Sequence, residues 1–277
     1  MRITPVKDYY FGKEIHLPLD KYIPSNSERK SFTMAIDLLS VSCMKRFGLD
    51  WPERNASESS SSSNTRRYGV TNHNQVREFG YGSPLPSGVS RKIALKEEKK
   101  RIDAVRRLPP TTRNVYTGEN IKRYRGRSLP TGGCRGEAYR KVGLQSLEIP
   151  FSGDLARMQN QSWEASRRSP IVTEAATKWS TCMRSRGFDY ETPEAAVADP
   201  RWIDSSISID SPSDVEMATA SADVECKKKV LFVEKWHAIE SREQDLLIES
   251  NSKRLASAKS AVNALARKVD AILEAAR

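Results

Sequence analysis

Apolar residues recur at helical spacing along much of the chain, which predicts a mostly α-helical protein. The first clear helix follows a capping box, Ser25-Asn-Ser-Glu28, in which each end residue binds the backbone of the other. The apolar positions after it fall three or four residues apart, at Phe32, Ile36, Leu39, Cys43 and Phe47. We expect Gly48 to end this helix, because glycine readily takes the left-handed conformation of a C-terminal cap.

The sequence at the end of this helix occurs twice. Cys43-Met-Lys-Arg-Phe-Gly-Leu-Asp-Trp51 returns as Cys182-Met-Arg-Ser-Arg-Gly-Phe-Asp-Tyr190, with seven of nine positions alike in kind. A second predicted helix, from about Pro170, ends at Gly187 in the same way. We interpret the motif as a repeated helix C-terminus with a cysteine on its core face. It divides the chain into two related helical halves joined by irregular loops, residues 1–148 and 149–277.

The C-terminal part of the chain predicts one long helix, 212–277, since neither proline nor glycine follows Pro212. Its middle, 240–254, is the most polar part and is where we expect a hinge or a break, if the helix has one. Its last third has apolar residues at alternating steps of three and four, the pattern of a coiled-coil seam. They are Leu255, Ala258, Val262, Leu265, Val269, Ile272 and Ala276. Such a seam packs either on the predicted helices 91–108 and 152–168 or on another chain. For a partner helix or a homodimer, the contact candidates are Leu255, Val262, Leu265, Val269 and Ile272.

Four cysteines allow two interpretations. The chain has no Cys-x-x-Cys pair, and its three histidines lie far from the cysteines in sequence, so the spacing of a zinc site is absent. Either the cysteines form two disulfides outside the cytosol, or they are four buried thiols. Cys43 and Cys182 hold equivalent repeat positions, and Cys134 and Cys226 each follow one copy, which favours the bridges Cys43–Cys134 and Cys182–Cys226. Sequence alone permits three pairings.

The N-terminal residues and hydropathy limit the location. No apolar run reaches the roughly 18 residues that a membrane-spanning helix needs. Residues 1–8 lack the apolar core of a secretion leader, so the protein is either cytosolic or has had its leader removed. Because the four cysteines favour disulfides, we expect an extracytoplasmic location, either secreted or membrane-anchored through a removed leader.

Positive charge is concentrated in residues 91–141, which contain sixteen Lys and Arg against five Asp and Glu. The excess of eleven equals the net charge of the whole chain. A cluster of this kind attracts polyanions, namely nucleic acid inside a cell and teichoic-acid-like polymers or anionic lipid headgroups outside it. The candidates for binding are Arg113, Lys122, Arg123, Arg125 and Arg127. The alternative is a solvated basic loop with no ligand. The sequence contains no signature of a nucleic-acid-binding fold, so it does not support nucleic acid as the partner.

Sequence signals of catalysis are absent. There is no glycine-rich phosphate loop, no nucleophile elbow and no cluster of metal ligands. A polar, serine-rich insert at 57–64 also carries no chemistry. We therefore expect no enzyme, no cofactor and no metal site.

Several short motifs together resemble a family of secreted or lipid-anchored actinobacterial proteins without an assigned activity. They are Leu17-Pro-Leu-Asp-Lys-Tyr22, Cys43-Met-Lys-Arg-Phe-Gly48, Arg67-Tyr-Gly-Val70, Gly132-Gly-Cys134, Cys182-Met-Arg-Ser-Arg-Gly187, Asp199-Pro-Arg-Trp202 and Ala222-Asp-Val-Glu-Cys-Lys227. Members are often encoded beside ABC-type exporters with peptidoglycan-binding adaptor subunits. The resemblance implies a non-enzymatic envelope protein that engages an exporter adaptor or permease, here through the C-terminal helix. A binding module for an anionic envelope polymer or membrane surface is the second hypothesis, and an intracellular nucleic-acid-binding protein the third.

Overall fold

Helices form nearly all of the regular structure in this computed structural model, which describes residues 15–52, 64–82, 91–144, 152–203 and 212–276. The insert expected at 57–64 lies outside the described residues except for Asn64. The fold is mostly α, as predicted. In chain order, the elements are a 3-10 helix Pro18–Tyr22, α1 Asn26–Arg46, α2 His73–Phe79, α3 Arg91–Arg107, α4 Pro110–Thr117, β1 Arg123–Tyr124, β2 Arg127–Ser128, α5 Gly133–Val142, α6 Ser152–Arg167, α7 Pro170–Arg184, α8 Pro193–Val197, α9 Pro200–Ile203, α10 Asp214–Val230, α11 Phe232–Ser250 and α12 Ser252–Glu274.

The chain forms two compact units, and each draws on three separate stretches of sequence. Unit 1 takes its residues from Met1–Asp20, Ser61–Ser87 and Ala156–Asn251, and unit 2 from Lys21–Ser60, Gly88–Leu155 and Ser252–Arg277. This division differs from the expected halves at 148/149. The reason is that each core is completed by segments distant in sequence, which a linear reading of the repeat does not reveal.

Both disulfides follow the predicted pairing, and each joins two segments of one unit. Cys182–Cys226 links α7 to α10 in unit 1, with 5.7 Å between the Cα atoms. Cys43–Cys134 links α1 to α5 in unit 2, with 5.4 Å between the Cα atoms. The structure has no free cysteine among its described residues.

The core of unit 1 forms where α7 packs on α10 and α11. Trp179 and Met183 of α7 are fully buried there, next to the disulfide and to Val76 of α2. A second cluster stacks Trp163 on Trp236, with ring centroids 4.3 Å apart, and Tyr68 completes it. Large aromatic side chains of this kind contribute much of the apolar area that stabilises a small unit.

The core of unit 2 forms where α1 packs on α5 and α12. Two clusters fill it. One contains Phe32 and Ala35 of α1 with Tyr139 and Val142 of α5. The other surrounds the disulfide and includes Met44, which is fully buried.

The repeated motif has the same backbone hydrogen bonds in both units. In unit 2, Gly48 N donates to Lys45 O and Leu49 N to Met44 O. In unit 1, Gly187 N donates to Arg184 O and Phe188 N to Met183 O. Each set is a Schellman cap, which requires the left-handed conformation that Gly48 (φ +69°) and Gly187 (φ +86°) adopt. The motif is therefore a helix C-terminus with a disulfide-bonded cysteine on its core face, as predicted. The methionine that follows this cysteine is also buried.

The expected long helix 212–277 is divided into α10, α11 and α12. Leu231 lies between the first two, with a left-handed backbone (φ +55°), and Asn251 ends α11. The break at Asn251 falls within the polar stretch 240–254, where a hinge or a break was expected. The break at Leu231 was not predicted, because leucine does not break helices by itself. The coiled-coil residues are on α12. Leu255, Val262, Leu265 and Val269 are buried, and Ile272 is half-buried.

Helix α12 packs on α1 and α5 within unit 2. Leu265, Val269 and Ile272 lie in the same apolar cluster as Phe32 and Tyr139. The apolar surface on which α12 packs comes from α1 and α5, which were not among the helices proposed for it. The predicted 152–168 helix, α6, contributes an ion pair between its Asp154 and Arg254 of α12. The seam residues proposed for a partner helix are thus occupied inside the chain.

Candidate functional site

The positive charge of the protein belongs to unit 2. Unit 2 contains 28 Lys and Arg against 14 Asp and Glu, a net charge of +14. Unit 1 contains 18 Lys and Arg against 21 Asp and Glu, a net charge of −3. An excess confined to one unit gives that unit a field that concentrates anions around it.

A short β-hairpin displays much of this charge. Strands β1 and β2 pair in antiparallel fashion, with Arg123 opposite Ser128 and Tyr124 opposite Arg127. The two turn residues both have positive φ, +45° at Arg125 and +77° at Gly126, the pattern of a type I′ turn. Neither α4 nor the hairpin was predicted from the sequence, which offered a binding cluster or a solvated basic loop for this segment. The Arg-Gly pair was the available signal, although this turn more often contains Asn-Gly.

Four of the five predicted polyanion-binding residues lie together on or beside the hairpin. Lys122, Arg123, Arg125 and Arg127 are exposed, and none of them takes part in an ion pair with another described residue. Two of them donate hydrogen bonds to backbone carbonyl groups. Arg123 Nη2 donates to Gly126 O (2.7 Å), and Arg127 Nη1 donates to Arg46 O (2.5 Å) at the end of α1. These contacts orient the guanidinium groups without neutralising them.

Arg113, the fifth predicted residue, has a different role. Its Nη1 donates to the carbonyl groups of Arg106 and Leu108, each at 2.7 Å, at the C-terminal end of α3. A guanidinium group is favourable there, because unpaired carbonyl groups give a helix C-terminus a partial negative charge. Arg113 therefore joins α3 to α4 and is half-buried.

An open groove of about 450 Å³ lies beside the hairpin. Its described lining residues are Arg46, Phe47, Arg127, Ser128, Leu129, Pro130 and Glu137. Phe47, Leu129 and Pro130 give it apolar walls, and Arg46 and Arg127 supply two guanidinium groups. Sequence reasoning missed Arg46 and Glu137. Arg46 lies inside the repeated motif and Glu137 one turn after Cys134, so both positions were adjacent to features already singled out.

Glu137 contributes the carboxylate among these lining residues, and two cations neutralise it. Its Oε1 lies 2.7 Å from Lys141 Nζ, and its Oε2 lies 2.5 Å from Arg46 Nη2. Partial burial raises the pKa of Glu137, but the hydrogen bonds from Lys141 and Arg46 outweigh it and hold the pKa below its ordinary value. Glu137 is therefore ionised at neutral pH, and the groove keeps a positive balance.

Aromatic contacts hold the hairpin and α4 on the end of α1. Trp51 stacks on Tyr116 of α4 with centroids 3.8 Å apart, and Phe47 meets Tyr124 edge to face at 6.5 Å. Arg125 lies over the ring of Tyr124, 5.4 Å from its centroid. Residues positioned in this way lose little further entropy when a ligand binds, which favours affinity.

The equivalent motif in unit 1 has its cations paired with carboxylates. Arg184 lies 3.5 Å from Asp189, Arg186 pairs with Glu225, and Arg201 lies 2.9 Å from Asp199. The hydrogen bond from Arg201 is the main cause that lowers the pKa of Asp199 to about 2, and burial raises the pKa of Tyr190 to about 12. Both motif arginines of unit 1 are thus paired with carboxylates, as Arg46 is in unit 2. What distinguishes unit 2 is the hairpin, whose cations have no carboxylate partner among the described residues.

Comparisons with known proteins gave no assignment. No family model matches the chain, no curated protein matches it, and no solved structure matches it. The resemblance to envelope proteins described above therefore stays a prediction. What the fold defines is a mostly α-helical protein with two disulfides.

Two further observations concern location and metals. The disulfides indicate an oxidising, extracytoplasmic environment. Within the described ranges, no helix combines the length and apolar character needed to cross a membrane. Among those same residues, no three His, Cys, Asp or Glu side chains are grouped so that they would hold a metal ion.

Proposed function

We propose that this protein is a non-catalytic extracytoplasmic binding protein, and that unit 2 binds an anionic polymer of the cell envelope through its hairpin and groove. The observation that carries the proposal is the exposed cationic set Lys122, Arg123, Arg125 and Arg127, which has no carboxylate partner among the described residues. Guanidinium groups are suited to phosphate and carboxylate groups because they donate two parallel hydrogen bonds.

A polymer of the envelope is favoured over the other polyanions that were considered. Disulfides persist outside the cytosol, where nucleic acid is not the main polyanion. A membrane surface fits less well, because proteins that bind in its plane insert apolar side chains beside their cations. The exposed hairpin residues Arg123, Arg125, Gly126, Arg127 and Ser128 offer none.

The alternative is that α12 engages an exporter adaptor, a permease or a second copy of the chain. It rests on the coiled-coil spacing of α12 and on the resemblance. Of its contact candidates, Leu265, Val269 and Ile272 pack in one cluster with α1 and α5, and Leu255 and Val262 are buried. A partner would therefore have to bind the polar face of α12 instead.

The test is charge reversal at two hairpin positions, Lys122→Glu with Arg123→Glu. These positions leave the contact between Arg127 and α1 intact. Binding to immobilised poly(glycerol phosphate) should weaken about tenfold at low salt, and the slope of log K against log salt should fall by about one for each reversed cation. The matched control reverses two exposed cations of unit 1, Arg167→Glu with Arg168→Glu.

Two results would contradict the proposal. One is unchanged retention of the hairpin variant on the polymer at low salt. The other is an equal loss of affinity in the control variant, which would show that binding depends only on the net charge of the protein. Tighter binding of the native protein to vesicles of anionic lipid than to the polymer would favour the membrane alternative.

A further inference from the structure

Helix α3 carries a second row of exposed cations in the same unit. Lys96, Lys99, Lys100, Arg106 and Arg107 are exposed. At 100° per residue these positions fall on one face of the helix, which also contains Asp103. Asp103 is half-buried and lies 3.9 Å from Arg106, so it offsets one charge of the row.

Contacts within unit 2 connect this row to the hairpin region. Arg113 of α4 donates to the carbonyl groups of Arg106 and Leu108 and so fixes the end of α3 to the start of α4. At the other end of α4, Val115 is buried with Met44 and Phe47, and Phe47 lines the groove. Helix α4 has eight residues, a length of about 12 Å at 1.5 Å per residue. The cationic row therefore begins one short helix away from the groove.

We propose that α3 and the hairpin form one continuous track, and that the ligand is a linear polymer with an anionic group at each repeat. This inference rests on the proposed function and adds the shape of the ligand to it. The row from Lys96 to Arg107 spans about 16 Å. A small anion occupies the groove alone, whereas a long chain contacts the groove and α3 together. The second contact is then intramolecular and raises the affinity without any new chemistry.

The experiment compares two probes, tripolyphosphate and a long inorganic polyphosphate, on three proteins and a control variant. These are the native chain, the hairpin variant (Lys122→Glu, Arg123→Glu) and an α3 variant with Lys96→Glu, Lys99→Glu and Lys100→Glu. Lysine and glutamate have similar helix propensities, so α3 should persist, and circular dichroism checks this. Its control is a unit 1 variant with Arg167→Glu, Arg168→Glu and Lys229→Glu, which changes the net charge by the same amount as the α3 variant does.

The native chain should bind the long polyphosphate at least about tenfold more tightly than tripolyphosphate. The α3 variant should lose that advantage and keep the native affinity for tripolyphosphate, while the control variant keeps both. If the α3 variant binds the long polyphosphate as tightly as the native protein does, α3 takes no part in binding and the continuous track is wrong. The proposed binding at the hairpin and groove is not affected by that result. If the native protein binds neither probe more tightly than the hairpin variant does, the proposed function itself is wrong.

Discussion

Lys227 and Asp223 form an ion pair that is completely buried within unit 1. Lys227 Nζ lies 3.0 Å from Asp223 Oδ2, and neither side chain is exposed to solvent. Lys227 also donates to Val70 O (3.2 Å), and Trp179 Nε1 donates to Asp223 Oδ1 (2.8 Å). Burial raises the pKa of Asp223, and the charge of Lys227 opposes that rise. The pair connects α10 to α7 and to the segment 64–82.

Removal of Lys227 should destabilise unit 1 strongly. Lys227→Met leaves the Asp223 carboxyl buried without its cation, and breaking a buried pair from one side costs about 3–5 kcal/mol. The double variant with Asp223→Asn should lose clearly less, because no unpaired charge remains. Urea denaturation followed by tryptophan fluorescence measures both free energies of unfolding. Equal losses in the single and double variants would show that shape, and not charge, determines the effect.

Gly69 and Gly187 offer a matched test of the close approach of Lys227. Both belong to unit 1 and both have positive φ, +78° and +86°. A Cβ on Gly69 would lie 2.7 Å from Lys227 Nζ, whereas a Cβ on Gly187 would meet nothing within 4 Å. Gly187→Ala should therefore cost only the backbone strain, about 1–2 kcal/mol.

Gly69→Ala should lower the free energy of unfolding by at least about 2 kcal/mol more than Gly187→Ala does. The reason is that Lys227 Nζ must move away and lose some of its buried hydrogen bonds. The free energies of unfolding of the two variants, measured in the same urea series, give this difference directly. A difference close to zero would mean that Lys227 moves aside without penalty.

Arg125 should show opposite effects on stability and on binding. Its backbone is left-handed (φ +45°), a conformation that asparagine tolerates better than arginine. Arg125→Asn should stabilise unit 2 by about 0.5–1 kcal/mol and weaken polymer binding. Arg123→Asn is the control, since Arg123 lies in β1 and not among the residues with positive φ. It should weaken binding with no gain in the melting temperature. A destabilised Arg125→Asn variant would contradict the argument from strain.

Asp199 should make stability depend on pH under acidic conditions. The hydrogen bond from Arg201 lowers its pKa from 3.8 to about 2. A carboxyl group whose pKa is lower in the folded state stabilises that state above pH 3.8, and this contribution disappears as the pH falls through about 2. The melting temperature of the native protein should therefore fall more steeply between these values than that of Asp199→Asn. Parallel curves for the two proteins would show that the pair with Arg201 does not form in solution.

Each disulfide should stabilise the unit that contains it. The two bridges span 91 and 44 residues, for which chain entropy gives about 4.6 and 4 kcal/mol respectively. Replacing both cysteines of one bridge by serine should unfold the corresponding unit at a lower urea concentration. Peptide mapping without reduction should recover Cys43 with Cys134 and Cys182 with Cys226. Four free thiols in native material would remove the basis for an extracytoplasmic location.

Short-range patterns in the sequence were sufficient for several local features. The capping box at Ser25 forms with both of its hydrogen bonds, since its partners lie only three residues apart. The Schellman caps at Gly48 and Gly187 depend on six consecutive residues and on the conformational freedom of glycine. The repeat placed one cysteine in each copy, and the positions of Cys134 and Cys226 after the two copies favoured the pairing that the structure contains.

Long-range packing decided the rest. The buried Lys227 and Asp223 have the i, i+4 spacing of an ordinary surface pair, so nothing local distinguishes them from solvated charges. The apolar surface for α12 comes from α1, more than 200 residues earlier in the chain. The candidate site also depended on long-range packing. The sequence determined that the basic residues lie near one another. Only the tertiary structure separates Arg113, which caps α3, from Arg123 and Arg125, whose charges have no carboxylate partner among the described residues. Which cations meet a carboxylate depends on how distant segments fold together, and local sequence patterns do not encode that.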